Sequence, residues 1–191
     1  MIYNIIDNVL DEKVSNEIEK SMTSSDFPWN IEKNITFQPD GTTPDLAVNE
    51  PNDLYNKKNK NLFYMTHMIY NHNRPNSQGF DLWWPLFQNS LKATSLLRMK
   101  ANLYPGQNTI TEHNTHIDYE KDGKCLPNIS AIYYVNTNNG YTTIGEEKID
   151  SIKNRLLIFD GCTPHSSSDC SDTFARININ FNYYSYEYGI K

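Results

Sequence analysis

The chain has 191 residues and a mass of 22.2 kDa, which suits one domain with a sizeable core. Its 17 Lys and Arg against 23 Asp and Glu give a net charge of -6 with no basic cluster, which argues against a polyanion partner held by a broad positive face. The 3 cysteines, Cys125, Cys162 and Cys170, lack C-x-x-C spacing; they argue against a disulfide framework or structural zinc site and for a reducing compartment. The acidic opening MIYNIIDNVLDEKV lacks a signal-peptide pattern and no apolar run reaches membrane-spanning length, so a cytoplasmic protein without a membrane partner is expected.

In chain order, residues 2–6 suggest a short strand. Asp11 can cap a helix over about 12–23, with Val14, Ile18 and Met22 spaced by four. From Ser24 to about Asn61 the chain is polar and rich in turn formers, which reads equally as a long functional loop region or as a surface insertion. Residues 62–70 read as a strand, within which His67 has no accompanying carboxylate and reads as structural. A helix starts near Asp81–Pro85 and runs to about Ser95, with Pro85 in its first turn. From Leu97 onward short strands follow one another at 97–104, 114–119, 129–135, 141–144, 155–159 and 174–183, separated by P-G, D-G and N-N-G turns. The fold class is therefore mainly β with flanking helices, an antiparallel sandwich or barrel, with residues 1–96 as helical and loop support and 97–185 as the core.

Three segments carry chemistry. In EHNTHIDYE (112–120), His116 and Asp118 stand at i and i+2, and on a strand both would point to one face. His165 lies downstream, where the apolar run RLLIF meets a Gly/Pro turn, so it projects from a strand end or loop. Two imidazoles and one carboxylate form the ligand set that holds non-heme Fe(II) with three positions open. Arg176 follows and opens an alternating run with Ile177, Ile179 and Phe181 on one face and Arg176, Asn178, Asn180 and Asn182 on the other. A polar row facing the inside of a barrel marks a wet working interior, and Arg176 offers the fixed cation that a dicarboxylate co-substrate needs. His113, at odd spacing from His116, falls on the opposite strand face and reads as a support behind the metal ligands or as structural.

Residues about 97–185 resemble the double-stranded β-helix (jelly-roll) core of the Fe(II)/2-oxoglutarate dioxygenases, and above all the prolyl 4-hydroxylase group. The blocks KANLYPGQ, HID, DGKCLPNISAIYYVN, NGYTT, NRLLIFDGCTPHSS and the later Arg176 come in that group's order. The resemblance implies Fe(II) held by His116, Asp118 and His165, 2-oxoglutarate anchored by Arg176, and phenols of Tyr104 and Tyr134 on the co-substrate. It implies O2-dependent hydroxylation of a C–H bond in a prolyl or related peptide, protein or small-molecule substrate, with release of succinate and CO2. Asn102-Leu-Tyr104, the triad and Arg176-x-Asn178 also resemble the AlkB nucleic-acid dealkylases, which makes Asn102 and Asn178 further co-substrate contacts. That group's second arginine, six residues after the first, is here Asn182. In halogenating relatives a small residue replaces the metal carboxylate, whereas Asp118 is present. A non-catalytic jelly roll holding a structural metal is the remaining alternative. Oligomeric state is not legible in the sequence.

Overall fold

The computed structural model describes residues 3–32, 63–121 and 124–187. Two helices cover one side. Strand β1 (Tyr3–Asp7) leads into α1 (Glu12–Met22), whose N-terminus is capped as expected by Asp11, its carboxylate accepting from Lys13 N at 2.9 Å. Ile18 and Met22 are buried one turn apart. Of the stretch expected as a long loop, residues 30–32 form the edge strand β2 (Asn30–Glu32), and 33–61 lie outside the described residues. Then come β3 (Tyr64–Asn71), β4 (Arg74–Pro75) and α2 (Gly79–Leu91). Helix α2 buries Trp83, Phe87 and Leu91 at intervals of four.

Two expectations for α2 are corrected. It begins two residues before Asp81, so Pro85 sits in its second turn; the residue is exposed, so the carbonyl deprived of its donor faces water. It ends at Leu91 rather than Ser95, because Lys92 adopts a left-handed conformation (φ 53°) and its N–H turns back to the last carbonyls.

The rest is strand: β5 (Ser95–Pro105), β6 (Glu120–Lys121), β7 (Lys124–Cys125), β8 (Ile129–Tyr134), β9 (Tyr141–Ile144), β10 (Glu147–Asp150), β11 (Arg155–Asp160), β12 (His165–Ser167) and β13 (Ala175–Tyr184). An antiparallel sheet runs β1-β11-β8-β13-β5-β3-β2, with β4 paired to β3, and a smaller sheet runs β10-β9-β12. Odd-numbered residues of β13 (Ile177, Ile179, Phe181, Tyr183) join α1, α2 and β5 in the larger core. Ile132, Tyr134, Leu157 and Phe159 meet Ile144 and Ile149 of the small sheet in a second core. These two facing sheets are the expected jelly roll.

Residues 114–119 do not form the expected strand. They are irregular chain that bends at Asp118 and Tyr119, tied down by an isolated bridge from His116 to His165, as Glu112 just before is by one to Ser168. The cysteine expectation is also corrected: Cys125 and Cys162 form a disulfide, and only Cys170 is free and buried. The ladder explains the pairing. Ile129 stands opposite Asp160, so the chain just before β8 and just after β11 must lie side by side. No helix among the described residues is long and apolar enough to cross a membrane.

Candidate metal centre

The bridge between His116 and His165 builds the site. Each residue's backbone N–H bonds the other's carbonyl, at 2.9 and 3.0 Å, which sets the two imidazoles side by side with ring centroids 4.5 Å apart. His165 opens β12 and is buried, while the His116 side chain is 27% exposed. Each ring has its Nδ1 beside a backbone carbonyl two residues earlier: His116 at 3.3 Å from Asn114 O and His165 at 3.1 Å from Thr163 O. A protonated Nδ1 donating to that carbonyl leaves each Nε2 with a free lone pair. Asp118 completes the group, with Oδ1 3.7 Å from His116 Nε2, and the three prospective ligand atoms lie within 4.8 Å of one another. Burial pushes the His116 pKa down to about 4, with His165 acting the same way, so the ring is neutral near pH 7.

Asp118 is held from behind. Its Oδ2 accepts from Asn182 Nδ2 at 3.0 Å and from Ser130 Oγ at 3.2 Å, and its Oδ1 is 3.0 Å from Arg98 Nη2. Burial alone would raise this carboxyl; Arg98, with the two histidines and Asn182, keeps it well below the usual carboxylate range. The donor set, two imidazoles and one ionised carboxylate, fits a divalent first-row metal.

Arg176 lies deeper between the sheets and is fully buried. Its Nε donates to Ser151 Oγ (3.1 Å), Nη1 to Ser168 O (3.2 Å) and Nη2 to Thr142 Oγ1 (2.9 Å). Its guanidinium is 5.5 Å from the centroid of Tyr104 and 5.6 Å from that of Tyr134. Among the described residues it has no carboxylate partner; Asp172, a surface acid near it in sequence, instead accepts from Asn139 N. Asp169, buried nearby, acts on Arg176 only through space, and the guanidinium's hydrogen bonds all go to neutral oxygens; a cation so placed is costly unless an anion binds it directly. Gly140 makes room for it, since a Cβ there would meet Arg176 Cδ at 2.7 Å and Asp169 O at 2.5 Å.

Of the other expected residues, Tyr104 lies within electrostatic reach of both Arg176 and Asp118. Tyr134 donates to Thr142 Oγ1 at 2.9 Å, the hydroxyl that also takes Arg176 Nη2. Tyr104 bonds Ser167, and burial raises both phenols' pKa values, so both remain protonated donors. Asn102 donates to Asn178 Oδ1 at 2.9 Å, while its own Oδ1 is buried without a partner. His113 takes the supporting place that one of its two readings gave it, but not by way of a strand face. It is buried beside Tyr104, ring centroids 5.2 Å apart, with Nδ1 2.8 Å from Ser167 Oγ and Nε2 unpartnered. Strand alternation failed there because residues 113–115 are not a strand. Thr142, Ser151, Ser167 and Ser168 were not singled out; small hydroxyls in a chain so rich in polar residues carry no sequence signal. His67 is structural as expected, with Nδ1 3.1 Å from Pro28 O.

No family profile and no curated protein matches the chain in sequence. Solved structures do. A prolyl hydroxylase from Trichoplax adhaerens, in complex with a hypoxia inducible factor oxygen degradation domain peptide fragment, aligns with TM-score 0.60 at 16% identity over 97% of this chain and 84% of that one. A Pseudomonas putida prolyl-4-hydroxylase aligns with TM-score 0.54 at 11% identity, covering 96% of this chain and 92% of that one. HygX from Streptomyces hygroscopicus, with nickel, 2-oxoglutarate and hygromycin B bound, gives TM-score 0.54 at 9% identity over 97% and 83%. The chain has the fold of these oxygenases.

Proposed function

We propose that the chain is an Fe(II)- and 2-oxoglutarate-dependent dioxygenase that hydroxylates a C–H bond, in a prolyl or related peptide substrate. One observation carries the reading: the polar face of β13 that holds the metal-ligand group, through Asn182 on Asp118, also carries a fully buried arginine, Arg176, with no ion-paired carboxylate among the described residues. A structural metal site has no use for that arginine, whereas a dicarboxylate spanning metal and guanidinium needs both.

In this reading His116, Asp118 and His165 hold the metal, their orientation fixed by the Asn114 and Thr163 carbonyls and by Ser130 and Asn182. Bound there, Fe(II) supplies with O2 the oxidation that turns 2-oxoglutarate into succinate and CO2 and the substrate C–H into C–OH. Arg176 receives the distal carboxylate as a fork, a geometry that its three neutral partners pre-set. Tyr104 and Tyr134 present phenol donors, and Asn102 and Asn178 present amides. Peptide binding by the Trichoplax protein and shared fold support a peptide substrate; HygX, with hygromycin B, shows that the fold also admits small molecules.

The test is succinate release by purified protein, with Fe(II) and 2-oxoglutarate supplied or withheld singly. Formation only when both are present is expected, and its absence under all conditions rejects the reading. Product mass on a prolyl peptide against a methylated oligonucleotide separates hydroxylation from nucleic-acid dealkylation.

A further inference from the structure

Beside the metal centre stands a charge that the chemistry so far leaves unused. Lys100 lies in the middle of β5, on the same face as Arg98 and Asn102, and its register partners are Met68 on β3 and Asn180 on β13. It is half-buried, and its ammonium is 5.8 Å from the centroid of the Tyr64 ring. No ion pair among the described residues includes it. Burial pulls its pKa down to about 8, with Arg98 pulling the same way and Asp118 and Glu32 opposing. It therefore stays cationic at neutral pH within electrostatic reach of Asp118 and also of His116.

The other charges of the pocket are accounted for. Asp118 has Arg98 at 3.0 Å, and the distal carboxylate of the proposed co-substrate would have Arg176. The metal would face the co-substrate's other carboxylate. That leaves Lys100 with no ion pair among the described residues, Asp118 and Glu32 acting on it only through space. Next to it Asn180 keeps its Oδ1 buried with no donor. A central strand position facing inward normally takes an apolar or hydrogen-bonded residue, because half-burying an unpaired ammonium beside an unpaired carbonyl costs free energy on both counts.

We infer that Lys100 and Asn180 form the recognition site for the primary substrate, and that this substrate carries an anionic oxygen for Lys100 and an N–H for Asn180 Oδ1 close to the carbon that reacts. An acidic amino-acid unit offers both groups, whether within a peptide or as a free N-acyl amino acid. The inference rests on the dioxygenase reading for the identity of the site, while its test needs no turnover.

The full chain is loaded anaerobically with Zn(II) and saturated with 2-oxoglutarate, so that Arg176 is occupied. Binding is then measured by calorimetry for two matched pairs of probes that differ only in the side-chain carboxylate: N-acetyl-glutamate α-amide against N-acetyl-glutamine α-amide, and acetyl-Gly-Pro-Glu-Gly-amide against acetyl-Gly-Pro-Gln-Gly-amide. The acid of at least one pair is expected to bind tenfold or more tightly than its amide. The preference should vanish in Lys100→Gln and return in Lys100→Arg, with metal content measured in each variant as a check on folding. Preference in the peptide pair alone names a peptide as the source of the anion; preference in the N-acyl pair alone names a small molecule. Equal binding within both pairs, or a preference that survives Lys100→Gln, overturns the inference. Absence of succinate formation with Fe(II) would instead reject the dioxygenase reading and leave this binding result standing.

Discussion

Asn182 and Asp118, 64 residues apart in sequence, are joined by a 3.0 Å hydrogen bond from the Asn182 amide to Asp118 Oδ2. The same Asn182 accepts Arg98 Nε at 2.9 Å through its Oδ1, and Arg98 Nη2 returns to Asp118 Oδ1 at 3.0 Å. The three side chains thus close a ring on adjacent strands, since Asn182 and Arg98 are register partners. Such a ring decides which oxygen of Asp118 faces the histidines.

Breaking the ring should loosen the metal without removing a ligand. Asn182→Leu is expected to weaken divalent-metal binding by about 10- to 100-fold, the usual effect of deleting a group that orients a ligand. Anaerobic titration with Co(II), followed by its visible absorption, measures this. An unchanged affinity would show that Ser130 and Arg98 suffice to hold Asp118.

Arg176→Met should raise the 2-oxoglutarate concentration needed for half-maximal succinate formation by roughly 30- to 1,000-fold, the loss of a charge-assisted pair worth about 2–4 kcal/mol. Metal binding should persist, because Arg176 touches none of the three prospective ligands. The variant also has a thermal signature. Wild type should gain about 2.7 kcal/mol of stability with 2-oxoglutarate at 100 times its Kd, and Arg176→Met at that concentration less than about 1 kcal/mol. Equal thermal shifts in the two proteins would remove Arg176 from the co-substrate site.

The polar row of β13 was legible because period-two alternation is local, and every apolar partner in that row did pack outward against helix and sheet. The jelly roll was legible for the same reason, through turns at short intervals. What failed was whatever depends on two distant segments meeting. His116 was expected on a strand with Asp118, yet its position is set by a bridge to His165. The disulfide followed from the register of Ile129 against Asp160, which cysteine spacing does not encode. Arg98 and Lys100 read in sequence only as the polar half of an alternating strand, and their charge becomes informative only once Asp118 is known to lie over β5.

The bond between Cys125 and Cys162 spans 37 positions. In the chain-entropy picture a loop of that size contributes about 3–4 kcal/mol by restricting the unfolded state. Cys125→Ala with Cys162→Ala should therefore lower the urea-unfolding free energy by about that amount at unchanged pH. A loss below about 1 kcal/mol would mean that the β8–β11 ladder alone holds these segments together in the unfolded ensemble as well as in the native fold.

The metal-free protein should lose stability between pH 7 and pH 5. Burial pushes the His113 pKa down to about 3, with Arg176 next in effect, and burial pushes His116 down to about 4, with His165 next. Both values lie below the ordinary histidine value of 6.5. In that interval the unfolded chain takes up protons that the folded protein refuses, so the unfolded state binds more protons and stability rises with pH. The contribution is fully present above about pH 6.5 and falls away as the pH drops toward the folded values. Integrated from pH 7 to pH 5, one such histidine accounts for about 2 kcal/mol. Asp118 has the same sign, but its window lies below the ordinary carboxylate value of 3.8, outside this range. His113→Leu isolates the larger shift: it removes a buried ring whose Nε2 has no partner and which is not among the prospective ligands. Urea unfolding at pH 7 and pH 5 should show a difference about 2 kcal/mol smaller in the variant than in wild type. If the two proteins lose the same stability over that range, His113 is protonated in the folded state and its Nε2 has a partner in solution.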